Sequence, residues 1–276
     1  MSLAHDLQYA TELARGAGKI ILEHYGKVER LTKTHAAASN EAVTDADRAS
    51  QRFIVAGLRR RFTDDGIVGE ESETGTSITF ECTNPRGRNW VIDPIDGTNN
   101  FIAGLGNFCV CIGLLDGGYP VLGIVYDVTR DVMYSAARGE GAWEGSRRMH
   151  ALPTPISDAS MVMFTSNLLI GGKCPGWACE MLSQQVWKMR ILGSAALEAV
   201  YVAAGVAHAA ITVNGKLWDV AAAAALVLEA GGVMTDLKGR GIFPFDLSHY
   251  GGAKVPFLAA GRAAHAPLLK IIQDHP

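Results

Sequence analysis

Trp90-Val91-Ile92-Asp93-Pro94-Ile95-Asp96-Gly97-Thr98-Asn99-Asn100-Phe101 runs from an apolar segment into two carboxylates three residues apart, with a proline between them and a glycine after them. Pro94 disfavours the α region for Asp93, so Asp93 is expected to end a strand. A proline has no N–H to give a central ladder, so the strand is expected to stop there. Gly97 admits the backbone angles of a tight turn, and Thr98-Asn99-Asn100 can open a short helix. Asp93 and Asp96 would then leave a buried strand at one point and converge on a cation. Hard divalent ions such as Mg²⁺ take oxygen ligands and keep positions open for water and phosphate. The N–H groups of a new helix start, around Gly97 and Thr98, form an anion site. A cation site beside an anion site suits phosphoryl chemistry. The structural alternative makes Asp93 a turn cap and Asp96 a helix cap. Asp-Pro-x-Asp alone favours the caps; Gly97-Thr98 after it and Glu70-Glu71 upstream favour the metal.

Asp93-Pro94-Ile95-Asp96-Gly97-Thr98 resembles the signature of the inositol monophosphatase family of Mg²⁺-dependent, lithium-sensitive phosphatases. Gly69-Glu70-Glu71-Ser72, Gly193-Ser194-Ala195-Ala196-Leu197 and Trp218-Asp219-Val220-Ala221-Ala222 resemble further family segments, in the family's order and at about its spacing. The resemblance covers nearly the whole chain. It implies a fold of mixed α+β and α/β character, the layered α-β-α-β-α sandwich of the sugar phosphatases, and a homodimer. It implies two or three Mg²⁺ ions, one held by Glu70, Asp93 and the Ile95 carbonyl and another by Asp93, Asp96 and Asp219. Thr98, oriented by Asp47, would position and deprotonate the attacking water, which a bound cation acidifies. The Gly97 and Thr98 N–H groups would hold the phosphate, and Gly193, Ser194 and Ala195 would meet the substrate. Thr212 stands where inositol-specific members usually place a glutamate that binds a sugar hydroxyl. Asn99-Asn100-Phe101 looks like the inositol branch rather than the nucleotide-bisphosphatase branch. The implied reaction is hydrolysis of a small phosphorylated polyol or amino alcohol, with inositol 1-phosphate or a related sugar-alcohol phosphate first. A histidinol-phosphate phosphatase shares every metal ligand and is the nearest rival. A catalytically silent relative that binds a phosphate ligand is the rival from another class.

The chain has 276 residues, enough for one large domain or two intimate halves, and 48% of them are hydrophobic. Charged residues make up 19% and the net charge is -3, with no basic stripe of the kind a nucleic-acid binder shows. Arg59-Arg60-Arg61 reads as a solvated helix end, where cations suit the dipole. The five cysteines are odd in number and not spaced as zinc ligands, so free thiols in a reducing cytosol are expected. Cys109 and Cys111 alternate in an apolar run and are expected on one face of a strand. Met1 to Asp6 lacks the charged and apolar regions of a signal peptide, and no apolar run reaches membrane-spanning length.

Apolar residues at helical spacing predict a helix from Leu3 to Tyr25, ended at Gly26. Residues 31 to 42, with Lys33, Ser39, Asn40 and Glu41, read as a loop. A second helix begins near Thr44, where Thr44-Asp45-Ala46-Asp47 has the make-up of a helix start; a cap alone would also account for Asp47. Ile67-Val68-Gly69 is a short strand, and alternation lets only one of Glu70 and Glu71 face a site. The family pattern selects Glu70. Residues 72 to 89 form a surface excursion, with 79 to 81 extended. Segments 108–115, 121–126 and 132–136 read as an antiparallel meander continued by 139–143. The glycines there do not fit G-x-G-x-x-G.

Leu152-Pro153-Thr154-Pro155 divides the chain into halves of about 1–152 and 153–276 within one phosphatase domain. Beyond it lie a strand at 161–165, a Gly- and Cys-containing loop at 170–179, and a strand at 186–192. A helix from Gly193 to Ala204 follows, whose N-terminus can face an anion or substrate oxygens; an ordinary Ser194 N-cap is the alternative. Residues 207–213 form a buried strand. No pairing of the eight histidines has metal-binding spacing, so zinc chemistry is not expected. The helix after Asp219 is apolar on nearly every face and must be buried, and Asp219 either caps it or reaches a metal. Strands at 233–235 and 255–260 and a helix at 263–272 close the chain. G-x-S-x-G is absent, and the metal chemistry that the resemblance implies requires no serine or cysteine nucleophile.

Overall fold

The computed structural model describes residues 2–26, 45–72, 78–184 and 187–275. The expected loop at 31–42 and Thr44 lie outside them. The first half supplies α1 (Leu3–His24), α2 (Asp45–Arg61), β1 (Gly66–Gly69), β2 (Thr79–Glu81), β3 (Arg88–Asp96), α3 (Thr98–Ala103), β4 (Cys109–Asp116), β5 (Tyr119–Asp127), β6 (Val132–Ala137), β7 (Gly141–Glu144) and β8 (Arg147–Arg148). The second supplies β9 (Met161–Phe164), α4 (Gly176–Gln184), β10 (Lys188–Ile191), α5 (Ala195–Ala203), β11 (Ala209–Thr212), α6 (Leu217–Glu229), β12 (Val233–Thr235), β13 (Phe257–Ala260) and α7 (Arg262–Asp274).

The strands form an eight-stranded sheet, in the order β2-β1-β3-β4-β5-β6-β7-β8, and a five-stranded sheet, in the order β10-β9-β11-β13-β12. Side-chain alternation explains how these sheets become layers. Ile92, Val110, Ile112 and Ile124 of the large sheet pack with α1 and α2 residues such as Ala14, Ile21, Ile54 and Leu58. Their neighbours Val91, Cys109, Cys111 and Val125 point the other way, onto α5 and α6. In the small sheet, Met163, Ala210 and Ala259 face α5 and α6. Val162, Ile211 and Leu258 face outward to Trp177, Met181, Leu268 and Ile272 of α4 and α7. The layers are therefore α1/α2, large sheet, α5/α6, small sheet and α4/α7. This is the α-β-α-β-α sandwich.

The alanine run of α6 reflects close packing between the sheets. Ala221, Ala222, Ala223 and Ala224 are fully buried. A Cβ on Gly123 of β5 would lie 2.2 Å from the Ala222 carbonyl, and one on Gly113 of β4 would lie 2.9 Å from the Ala222 N–H nitrogen. The backbone of α6 thus rests directly on glycines of the large sheet, which fixes where its first turn falls.

Two expectations need correction. The strand carrying Asp93 does not stop at Pro94. It continues to Asp96, with Asp93 opposite Cys111 and Asp96 opposite Cys109, so three steps along β3 match two along β4. One extra residue makes this a bulge, and Pro94 is tolerated because its missing donor falls where the ladder is interrupted. The segment 170–179 is not all loop, because α4 begins at Gly176. Trp177 and Met181, four residues apart, bury one face of that helix. Among the described residues, no helix is long and apolar enough to cross a membrane.

Candidate active site

The bulge decides which way the carboxylates point. In a regular strand, residues three apart face opposite sides of the sheet. Here the extra residue brings Asp93 and Asp96 to the side that faces α5 and α6. Both are buried, and the Asp93 Oδ1 accepts a hydrogen bond from the Ile95 N–H at 2.9 Å. Asp219 arrives from the first turn of α6, where it also accepts the Lys216 N–H at 2.8 Å. One side chain thus both caps α6 and joins the carboxylate cluster. Oxygens of Asp93, Asp96 and Asp219 lie within 4.8 Å of one another. Glu70 follows β1, which pairs parallel to β3, and its N–H bonds to the Ile92 carbonyl at 3.2 Å. It therefore stands one strand over from Asp93.

This gathering of negative charge perturbs Asp93. Burial, followed by the charges of Glu70, Asp219 and Asp96, pushes its carboxyl well above the usual range. Clustered carboxylate oxygens, buried at Asp93 and Asp96 and half-buried at Glu70 and Asp219, fit a hard divalent cation. Such an ion would relieve the repulsion that otherwise favours protonation.

Asp96 has further partners. The Ser194 hydroxyl donates to its Oδ2 at 2.5 Å, and the Ala196 and Ala195 N–H groups bond its two oxygens at 2.7 and 3.3 Å. The N-terminus of α5, expected to face an anion or substrate, thus receives an anion from the protein itself. Ser194 is also the N-cap, accepting the Leu197 N–H at 3.3 Å. The turn before it is held from both sides. Glu198 Oε1 accepts the N–H groups of Leu192 and Gly193, at 2.9 and 3.1 Å, and the Asn100 Nδ2 donates to the Leu192 and Asn107 carbonyls, each at 2.8 Å. Burial raises the Glu198 carboxyl to about 8. Cys109 and Cys111, 3.7 Å apart at sulfur, back Asp96 from β4.

Gly97 adopts φ 97°, and a Cβ there would lie 2.8 Å from the Asn107 carbonyl, so glycine is required for the turn into α3. The Thr98 hydroxyl donates to the Ile95 carbonyl at 2.9 Å. Asp47 is buried in the first turn of α2 and is not among the residues lining the cavity.

These groups open into a cavity of about 560 Å³. One wall comes from the large sheet: Glu70, Asp93, Ile95, Asp96, Gly97 and Thr98. The other comes from the ends of three adjacent strands of the small sheet: Thr165 to Asn167 after β9, Asn214 to Lys216 after β11, and Lys254 before β13. Gly193, Ala195 and Asp219 lie between the walls. Thr212 is fully buried at the end of β11 and does not reach the wall; its Cγ2 would lie 2.9 Å from a Cβ on Gly215. Asn214, two residues later, occupies the wall instead. Sequence reasoning missed this second wall. Its signal was polar residues directly after the apolar runs 161–164 and 207–213, at strand ends where binding groups collect.

A model of the inositol monophosphatase family matches residues 2–276. The chain belongs to that family. It is 31% identical over 274 residues to a fructose-1,6-bisphosphatase/inositol-1-monophosphatase of Thermotoga maritima, covering 97% of this chain and 96% of that protein. It is 33% identical over 235 residues to a histidinol-phosphatase of Chlorobaculum parvum, covering 85% and 87%. The solved structure of a Thermotoga maritima IMPase superposes with a TM-score of 0.82 at 30% identity, covering 98% of this chain and 97% of that one. Members of the family are metal-dependent phosphatases that hydrolyse phosphomonoesters, and the carboxylate cluster supplies ligands of the kind that chemistry needs.

Proposed function

We propose that this protein is a Mg²⁺-dependent phosphate monoester hydrolase whose substrate is inositol 1-phosphate or a related sugar-alcohol phosphate. The observation that carries the reading is the convergence of Asp93, Asp96 and Asp219 beside Glu70, next to the Gly97–Thr98 turn. Glu70, Asp93 and the Ile95 carbonyl would hold one ion, and Asp93, Asp96 and Asp219 another. Bound Mg²⁺ would neutralise developing charge and acidify an attacking water. The Gly97 and Thr98 N–H groups, at a backbone turn only glycine can make, would hold the phosphate. Thr98, oriented by Asp47, would position the attacking water, and the Glu70 carboxylate would take its proton. Ser194 and the Ala195 and Ala196 N–H groups fix Asp96, so α5 acts through that carboxylate, while Gly193 and Ala195 border the substrate. Thr212 supports Gly215 from beneath.

The catalytic unit takes residues from both halves, 1–152 and 153–276, as a single domain. Leu169, Ile170, Leu182 and Ile191 are large apolar side chains 44–53% exposed around α4 and the edge strand β10, which supports a homodimer through that side. Five free cysteines support a reducing, cytoplasmic setting. Histidinol phosphate is the second substrate reading, supported by the relative named for it. Phosphate release from inositol 1-phosphate, histidinol phosphate, fructose 1,6-bisphosphate and adenosine 3′,5′-bisphosphate, with and without Mg²⁺ and Li⁺, tests the proposal. Mg²⁺-dependent, Li⁺-inhibited release from inositol 1-phosphate is expected. Inactivity on every ester would leave a phosphate-binding protein without turnover.

A further inference from the structure

The cavity has two walls of opposite character. The large-sheet wall is acidic and holds the ions and the transferred phosphate in the reading above. Among the described residues, the small-sheet wall has no acidic residue. It presents Lys216, Lys254, Asn214, Asn167 and Thr165. Backbone pairing brings its two cations together: the Val255 N–H donates to the Gly215 carbonyl at 2.6 Å, and the lysines are the residues just before Val255 and just after Gly215. Lys216 makes its backbone bond to Asp219, yet its ammonium lies over the Trp218 ring, 5.3 Å from the centroid. Among the described residues, neither lysine forms an ion pair. Asn214 adds donors, because its Oδ1 is taken by the Thr165 hydroxyl at 2.9 Å, which commits the amide oxygen and leaves its NH₂ to donate elsewhere. A donor-rich, cationic wall across from the phosphate cradle suits an oxyanion on the leaving group.

We propose that the small-sheet wall is a leaving-group subsite for a second acidic group, a carboxylate or a phosphate, bound by Lys216 and Lys254 with Asn214. This rests on the phosphatase reading and, within its sugar-alcohol phosphates, ranks esters whose alcohol carries another acid above neutral ones such as inositol 1-phosphate. The same two positive charges oppose an amino alcohol such as histidinol, whose ammonium would sit beside them.

Two matched pairs of esters test the subsite. Fructose 1,6-bisphosphate against fructose 1-phosphate probes a second phosphate; 3-phosphoglycerate against glycerol 3-phosphate probes a carboxylate. The wild-type protein is expected to hydrolyse the acid-bearing member with at least about tenfold higher kcat/KM in one or both pairs. That ratio should fall at least about fivefold in Lys216→Gln/Lys254→Gln. Lys254→Gln alone, at an exposed residue, is measured alongside and should lower the ratio in the same direction; it decides the matter if loss of the Lys216–Trp218 contact prevents the double variant from folding. A wild-type ratio at or below one in both pairs overturns the subsite. So does a ratio unchanged by the substitutions, the result expected if the lysines serve the transferred phosphate. Release from the neutral members alone removes only this inference. No release from any of the four with ample Mg²⁺ removes the phosphatase reading as well.

Discussion

Asp93 and Asp96 face the same side of the large sheet because one residue is inserted between them: Asp93 stands opposite Cys111 and Asp96 opposite Cys109. Without that insertion, residues three apart would point to opposite faces, and only one carboxylate could meet Asp219. The Asp-Pro-Ile-Asp spacing is therefore meaningful only together with the bulge that Pro94 occupies.

The carboxylate cluster should weaken the metal-free protein. Asp93 has a folded-state pKa raised well above its ordinary value, so its contribution to stability is fully present below the ordinary pKa and is lost as pH rises through the raised one. In EDTA at neutral pH or above, Asp93→Asn should melt higher than wild type by about 2–4 °C. The difference should shrink on acidification, and added Mg²⁺ should favour the wild type. Thermal melts across pH, with and without Mg²⁺, check this; a variant less stable than wild type in EDTA at pH 8 would count against it.

Ser194 joins the cap of α5 to the support of Asp96. Ser194→Ala should lower unfolding free energy by about 1–2 kcal/mol. It should also raise the Mg²⁺ concentration needed for half-maximal activity. Denaturant titration and Mg²⁺ titration read the two effects separately.

Gly123 of β5 lies under α6. Gly123→Ala would place a Cβ 2.2 Å from the Ala222 carbonyl, so the helix must shift. Expected destabilisation is about 1–3 kcal/mol. Because Asp219 rides on the first turn of that helix, Mg²⁺ affinity should fall too. Unfolding and Mg²⁺ titrations check both; retained affinity in a destabilised variant would separate packing from the site.

The carboxylate cluster of the candidate site was legible in the sequence because its residues lie in short strings. Glu70, Asp93, Asp96 and Asp219 each follow or interrupt an apolar run, and the structure brings them around one cavity. The five layers were implied by the family resemblance and visible in part in strand and helix periodicity. Pro94 misled because proline reads locally as a strand end, whereas a bulge depends on the register of β4. Helix α4 was hidden by Gly171, Gly172, Cys174 and Pro175 before Gly176, while Trp177 and Met181 find their partners only on the outer face of the small sheet. Thr212 ends β11 and is buried, and the cavity wall begins two residues later, at Asn214. Lys254 carries no local signal at all, since the Val255–Gly215 bond that brings it in spans 40 residues.

Glu198 should impose a pH dependence on the Gly193 turn. Its folded-state pKa of about 8 exceeds the ordinary 4.5, so stability is fully present below 4.5 and falls as pH rises toward 8. Glu198→Gln keeps an acceptor oxygen for the Leu192 and Gly193 N–H groups without the charge. The stability of the variant relative to wild type should rise between about pH 5 and pH 8 and level off above. Chemical denaturation at pH 5, 6, 7, 8 and 9 checks this; a constant difference would contradict it.

The most direct test is Mg²⁺-dependent phosphate release by wild type and Asp93→Asn, with folding followed by circular dichroism. Wild-type turnover should vanish in EDTA and return with Mg²⁺, while Asp93→Asn should stay folded and lose at least about a hundredfold in activity at every Mg²⁺ concentration. Turnover that survives EDTA, or wild-type rates from Asp93→Asn, would contradict the assignment of this cluster as the metal centre.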